Sequence, residues 1–292
     1  MMKKLKTLLV CTFIIISAVA FSQENNSILW KISGNGLESP SYLFGTIHVM
    51  CPDDLKLSPK VEEALGQTEQ LALELDMDDP TFIQEMQQLS VNPDMRNLSS
   101  LLSEEELNTL NSFFKENYQA DMSQLGILKP LVLMSMMFNK GLECDQPGSY
   151  ESLLMNYASQ KNWEILGLES LQDQFDIFDT VSEDEQLAWL VKYAKNQEKL
   201  KLDLANLVEA YQQENISEVL DFMTEYPEYK KIEDALLYDR NEKWIERIEV
   251  IANDKTNLFA VGTAHLPSQS GVIELLRKEG FTLTPIMTTS VN

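Results

Sequence analysis

Short, largely apolar runs over residues 28–33 (ILWKIS) and 41–47 (SYLFGTI), with Gly34-Asn35-Gly36 between them, predict two strands joined by a turn. Period-two alternation appears where Leu71, Leu73 and Leu75 are interleaved with Ala72, Glu74 and Asp76, a third strand. That strand puts Glu74 on the face opposite its leucines. Further strands are expected over 163–168 (WEILGL), 256–261 and 281–285. Helical periodicity covers most of the rest. Ser58 as cap and Pro59 at the first position open a helix running to about Gln70. Helices are predicted over 79–90, 103–118, 122–140, 148–160 and 170–180, then one long stretch over 183–225, then 229–251 and 268–279. Ser103 with Glu106, and Ser182 with Glu185, read as capping boxes.

Strands therefore gather at the two ends and around 71–75 and 163–168, while helices fill the middle. The expected fold is mixed α/β (α+β): a central mixed sheet built from N- and C-terminal strands, with a large helical insertion over about 79–160 and 183–251. No Gly/Ser-rich linker divides residues 23–292, which read as one domain. The Met-rich segment Leu131–Phe138 is expected to be core rather than an adaptable groove.

Composition narrows the function. The chain has 292 residues, 44 % apolar and 24 % charged, enough for a packed core and unlike a disordered chain. Lys plus Arg number 23 against 46 Asp plus Glu, a net charge of −23. Such a chain lacks the basic footprint of a nucleic-acid binder and is disfavoured at anionic membrane surfaces. Lys3, Lys4 and Lys6 precede an apolar run from Leu8 to Phe21, and Ala20-Phe21-Ser22 supplies small residues, so residues 1–22 read as a cleaved secretory signal. The run is shorter than the ~20 residues a span needs. The mature chain is thus expected outside the cytosol, in the periplasm or extracellular, with no stable membrane span. It keeps Cys51 and Cys144, expected as a disulfide; two thiolate metal ligands are the alternative, without a C-x-x-C pair to support it.

The chain has only two histidines, and both sit in one local context: Gly45-Thr46-Ile47-His48 and Gly262-Thr263-Ala264-His265. Each motif follows an apolar strand. Glu74 lies near the end of its strand and Glu169 follows 163–168. If these four strands are parallel, His48, Glu74, Glu169 and His265 reach one sheet edge, where open α/β sheets place ligands. Two imidazoles with one or two carboxylates suit a divalent transition metal with open positions. No histidine would then be left as general base, so one Glu as ligand and the other as base is the simplest division, with either assignment open. On the helix 229–251, Ile232, Leu236, Arg240, Trp244 and Ile248 form one stripe with Asn241 at its edge. An Arg on an apolar stripe calls for an anion: a site carboxylate, a substrate oxyanion or a structural salt bridge. Asp145 would border the site if the disulfide brings Cys144 near His48.

These residues resemble the TraB/GumN family, which includes the Tiki proteins. The marks are the two GxxH motifs, the Glu74 strand, Gly167-Leu168-Glu169 with Gln174, Arg240-Asn241 and His265-Leu266. The resemblance implies a core like that of erythromycin esterase and ChaN-type proteins, and a metal-dependent hydrolase. It implies His48, Glu74 and His265 as ligands of a divalent ion such as manganese, cobalt or zinc. Glu169, Glu74, Arg240 and Asn241 are the catalytic candidates.

Two functions compete. One is an exported metallopeptidase-like hydrolase acting on a peptide or small molecule. The other is a non-catalytic protein that sequesters a metal, haem or peptide. A third, purely structural reading requires the two histidines to lie far apart.

Overall fold

The computed structural model describes residues 26–288; the expected signal at 1–22 lies outside the described residues. Among them, six strands form one mixed sheet: β1 (Leu29–Gly34), β2 (Ser41–Thr46), β3 (Gln70–Leu75), β4 (Ile165–Glu169), β5 (Asn257–Gly262) and β6 (Phe281–Pro285), in the order β4-β3-β5-β2-β1-β6. β2, β5, β3 and β4 run parallel, so their carboxyl ends share one edge. β1 and β6 run antiparallel at the far side. The mixed α/β expectation holds, with N- and C-terminal strands interleaved: β2 lies beside β5 although more than two hundred residues separate them in sequence.

Parallel strands are buried on both faces, which explains why β2 and β5 are buried at every position. The main apolar core surrounds the sheet and takes in Leu43, Phe44, Leu71, Leu73, Phe259, Val261 and Trp244. A second core lies among the inserted helices around Phe114, Leu133, Met137 and Leu190. Met134 and Met137 of the Met-rich segment are buried there, as expected, while Phe138 is only partly buried.

The helical boundaries need correction. The expected helix 122–140 is two helices, Met122–Leu125 and Pro130–Gly141, because Gly126 ends the first and Pro130 restarts the chain at a first-turn position. The expected stretch 183–225 is three helices, Glu183–Lys195, Gln197–Gln212 and Ile216–Thr224, broken at Asn196 and at Glu214, whose φ is +56°. Ser182 makes no side-chain cap bond, so the second predicted capping box is absent; Ser103–Glu106 is present, and Asp121–Gln124 and Ser170–Asp173 form two more. The helix expected over 229–251 spans Pro227–Asp254, with a π turn over Asp234–Tyr238 just before Arg240. π turns widen a helix locally and recur at functional sites. The helix expected over 268–279 is shortened to Val272–Lys278.

Candidate metal centre and cleft

The register of β2 against β5 pairs Gly45 with Val261 and Thr46 with Gly262. The two GxxH motifs therefore leave neighbouring strands at the same edge, offset by one residue. Thr263 Oγ1 donates to the Thr46 carbonyl at 2.9 Å, locking one motif to the other. Their glycines serve different ends. A Cβ on Gly45 would stand 2.7 Å from Leu266 Cδ1 and 2.8 Å from Thr263 Oγ1, so its absence lets the turn that follows β5 pack against β2. A Cβ on Gly262 would stand 3.1 Å from His48 Nε2, 3.3 Å from Glu74 Oε1 and 3.5 Å from His265 Cδ2. That glycine keeps open the space between three polar side chains.

The two imidazoles face this space in a fixed sense. His48 Nδ1 bonds to Glu151 Oε1 at 3.0 Å, and His265 Nδ1 bonds to Asn241 Oδ1 at 2.6 Å. Each Nε2 lies 3.9 Å from Glu74 Oε1. Arg240 Nη1 lies 3.1 Å from His265 Nε2. A guanidinium only donates, so His265 Nε2 accepts and its proton is on Nδ1, donated to Asn241. Burial, and then the Arg240 charge, hold the His265 pKa down to about 3, so this ring is neutral. His48 differs because its side chain is 58 % exposed. Burial of its inner edge opposes the charge, but the Glu151 hydrogen bond and charge, helped by Glu74, raise its pKa to about 9.

Glu74 is buried within β3, where its Oε1 accepts the Gly262 N–H at 2.7 Å. Burial pushes its pKa up, yet Arg240, the two histidines and that N–H hold it well below the usual carboxylate range. Arg240 Nη2 binds Glu74 Oε2 at 2.6 Å and Glu169 Oε1 at 2.5 Å, and its Nε bonds both oxygens of Glu169 at 3.1 Å. Its Nη1 also donates to the Leu236 carbonyl, and the guanidinium lies 4.8 Å from the Trp244 ring centroid. Gln174 Nε2 bridges Glu74 and Glu169 at 3.1 and 2.9 Å, and Trp244 Nε1 donates to Glu169 Oε2 at 3.2 Å. The anion that Arg240 required is thus a pair of site carboxylates.

His48, Glu74, Glu169, Arg240, Asn241 and His265 all come together at the carboxyl edge of the sheet, which removes the reading that kept the histidines far apart. Asp145 does not line the cleft above them. The residue sequence reasoning missed is Glu151, held by Thr46 Oγ1 at 2.7 Å as well as by His48. The expected disulfide Cys51–Cys144 is formed, and the bridge Met50–Gly148 runs beside it. Together they dock the helix Tyr150–Lys161 next to His48, and Glu151 lies in its first turn. The signal available beforehand was an acid seven residues beyond a cysteine expected to bond near His48.

In kind, the residues suit a small divalent ion: two imidazole Nε2 atoms, one carboxylate, and a space that a Cβ would fill, with binding requiring loss of the His48 proton and of the Arg240 Nη1 contact to His265 Nε2. In spacing they are wide. Donors about 2.1 Å from one ion stand ~3.4 Å apart, so a 3.9 Å gap must close by about 0.5 Å. Among the described residues no three His, Cys, Asp or Glu side chains already stand at ligand geometry. Above the rings opens a cleft of about 410 Å³, walled mainly by apolar side chains of the helical insertion. Among the described residues no helix is long and apolar enough to cross a membrane.

Residues 28–285 match the model of the TraB/PrgY/gumN family. A relative from Danio rerio, described as Metalloprotease TIKI2, is 22 % identical over 315 aligned positions that cover 89 % of this chain. This chain spans about 61 % of the length of that curated relative. No solved structure matches the chain.

Proposed function

The chain belongs to the TraB/PrgY/gumN family, and from that premise we propose that it is an exported, metal-dependent hydrolase that acts on peptide bonds. The observation that carries the reading is the common aim of the two imidazoles: each Nδ1 is engaged by an acceptor, which leaves both Nε2 atoms facing one oxygen of Glu74. Partners of this kind fix ring orientation and raise ligand basicity in metal sites. His48, His265 and Glu74 would hold the ion. Manganese, cobalt and zinc all accept such donors. A bound divalent ion would act as a Lewis acid and lower the pKa of water towards neutrality.

The protein's own groups divide the remaining work. Glu151 and Asn241 orient the histidines. Glu169 accepts from Arg240, Gln174 and Trp244 through both oxygens, which leaves it poorly placed to take a proton. We assign it to holding Arg240, so that Glu74, the nearer carboxylate, is the ligand. Arg240 keeps its charge, since Glu74 and Glu169 raise its pKa against the effect of burial. Its Nη1 is engaged by the Leu236 carbonyl and His265 Nε2, so in this reading Arg240 acts through its positive charge at the floor of the cleft, near where negative charge would develop on a carbonyl oxygen. In this reading residues 1–22 are the export signal and 23–292 one domain; the disulfide supports an oxidising compartment.

The relative's name supports peptide hydrolysis. One observation favours the non-catalytic alternative: the cleft over the rings is mainly apolar, and the carboxylates near the rings are all engaged by donors or cations. Metal analysis and peptide cleavage, comparing wild type with His48→Ala and His265→Ala, separate the two. The hydrolase reading expects bound metal and peptide cleavage in wild type, with both reduced in the variants. Metal bound without cleavage of any peptide would favour the binding protein, and equal metal content in all three would remove the metal.

A further inference from the structure

The cleft differs from the rest of this molecule. The chain carries 46 acidic residues against 23 basic ones, yet among the described residues no Asp or Glu lines the cleft; its basic floor is His48, His265 and Arg240. The walls are aliphatic and aromatic: Phe138 and Leu142 from one side, Leu207 and Val208 from the helix Gln197–Gln212, Met223 and Leu236 from the segments that follow. These side chains are only partly buried, so apolar surface is presented to whatever enters. Ser135 and Asn139 stand on the rim, both exposed and one helical turn apart. Their ~6 Å spacing is close to the two-residue repeat of an extended chain, about 6.6–6.8 Å.

We propose that this cleft is a specificity pocket that takes one bulky apolar side chain, leucine- or phenylalanine-sized, of an extended peptide whose adjoining carbonyl faces His48, His265 and Arg240. The proposal rests on the hydrolase reading for its position, but its recognition chemistry is independent of turnover. An acidic side chain would be desolvated among aliphatic walls without a free cation, because Arg240 is already held by Glu74 and Glu169, and His48 by Glu151. A volume of about 410 Å³ falls within the range of small-ligand sites and leaves room for one large side chain and its flanking backbone. One methylene in an apolar pocket is worth about 10–200-fold, so such a side chain is selected over alanine by at least about tenfold.

The test uses the full mature chain and a set of fluorescent octapeptides that differ at one central position: Leu, Phe, Ala, Asp, or a lysine carrying a fatty acyl group. Binding is read by anisotropy in chelator, without turnover, and cleavage by mass spectrometry with manganese or zinc. Leu and Phe peptides are expected to bind at least about tenfold more tightly than Asp or Ala peptides. Phe138→Ala, which enlarges the pocket, should move the preference from Leu to Trp, and Leu207→Ala is a second enlargement should the first variant fail to fold. Equal affinity across the set, or cleavage without preference, overturns the pocket while leaving the hydrolase. Leu-selective binding without cleavage supports the pocket and counts against the hydrolase. Strong preference for the acylated peptide overturns a peptide side chain as the occupant.

Discussion

Gly262→Ala separates the fold from the centre it frames. The residue has φ −54° and ψ 135°, a backbone region that alanine adopts without strain. Its N–H to Glu74 survives the substitution. Replacing Gly by Ala at such a position stabilises by about 0.4–1 kcal/mol through the unfolded chain. Against this, the new methyl meets His48 Nε2 at 3.1 Å and Glu74 Oε1 at 3.3 Å. His48 is 58 % exposed and can shift by a few tenths of an ångström. The two effects are small and opposed, so the Tm should stay within about 2–4 °C of wild type. The space between the three donors is lost, however. The metal Kd should weaken by at least tenfold, about 1.4 kcal/mol. Calorimetric titration of manganese and zinc, beside differential scanning calorimetry of the same samples, checks both halves. Wild-type metal affinity in a well-folded Gly262→Ala protein would refute the assignment of these three side chains as ligands.

Other outcomes test the surrounding framework. Glu151→Gln should return the His48 pKa from about 9 towards 6.5; because the folded-state value is raised, the stability lost in metal-free protein should be full below pH 6.5 and vanish as pH rises through 9, checked by NMR titration and urea midpoints at pH 6 and 10. Arg240→Ala leaves Glu74 and Glu169 buried without their cation and should cost about 3–5 kcal/mol in chemical denaturation. Arg240→Lys should recover only part of it, since an ammonium lacks the fork that reaches both carboxylates. Cys51→Ser opens a loop closed across 93 residues, worth up to about 4.7 kcal/mol in the chain-entropy model; a urea midpoint unchanged by reductant in wild type would contradict it. Asp76 has its pKa raised to about 6, first by burial and then by Asp78, so it opposes folding once ionised. Asp76→Asn should therefore raise Tm more at pH 7 than at pH 5, and a pH-independent gain would contradict that account.

Much of this arrangement was readable from local pattern. Short apolar runs, with period-two alternation over 71–76, located the strands, and the repeated Gly-Thr-x-His context singled out the only two histidines. The apolar stripe through Arg240 showed that an anion had to meet it. Helix breaks were less legible, because the apolar periodicity runs on past Asn196 and Asn215, and a lone Asn becomes a break only where it caps, as Asn215 does for the helix Ile216–Thr224. The absent Ser182 cap bond belongs to the same class: the sequence permits a capping box, while the observed geometry leaves its side chain unused.

Sequence by itself determined which groups could do chemistry: two imidazoles, strand-end carboxylates, one misplaced arginine and a pair of cysteines. Tertiary structure decided what each does. Only the β2–β5 register brings rings 217 positions apart to one oxygen of Glu74, and only the docked helix Tyr150–Lys161 reveals Glu151 behind His48. Periodicity reports which face of an element is buried, a local property of a few residues. Strand order and helix docking depend on contacts between distant segments, and those carry no short-range signature.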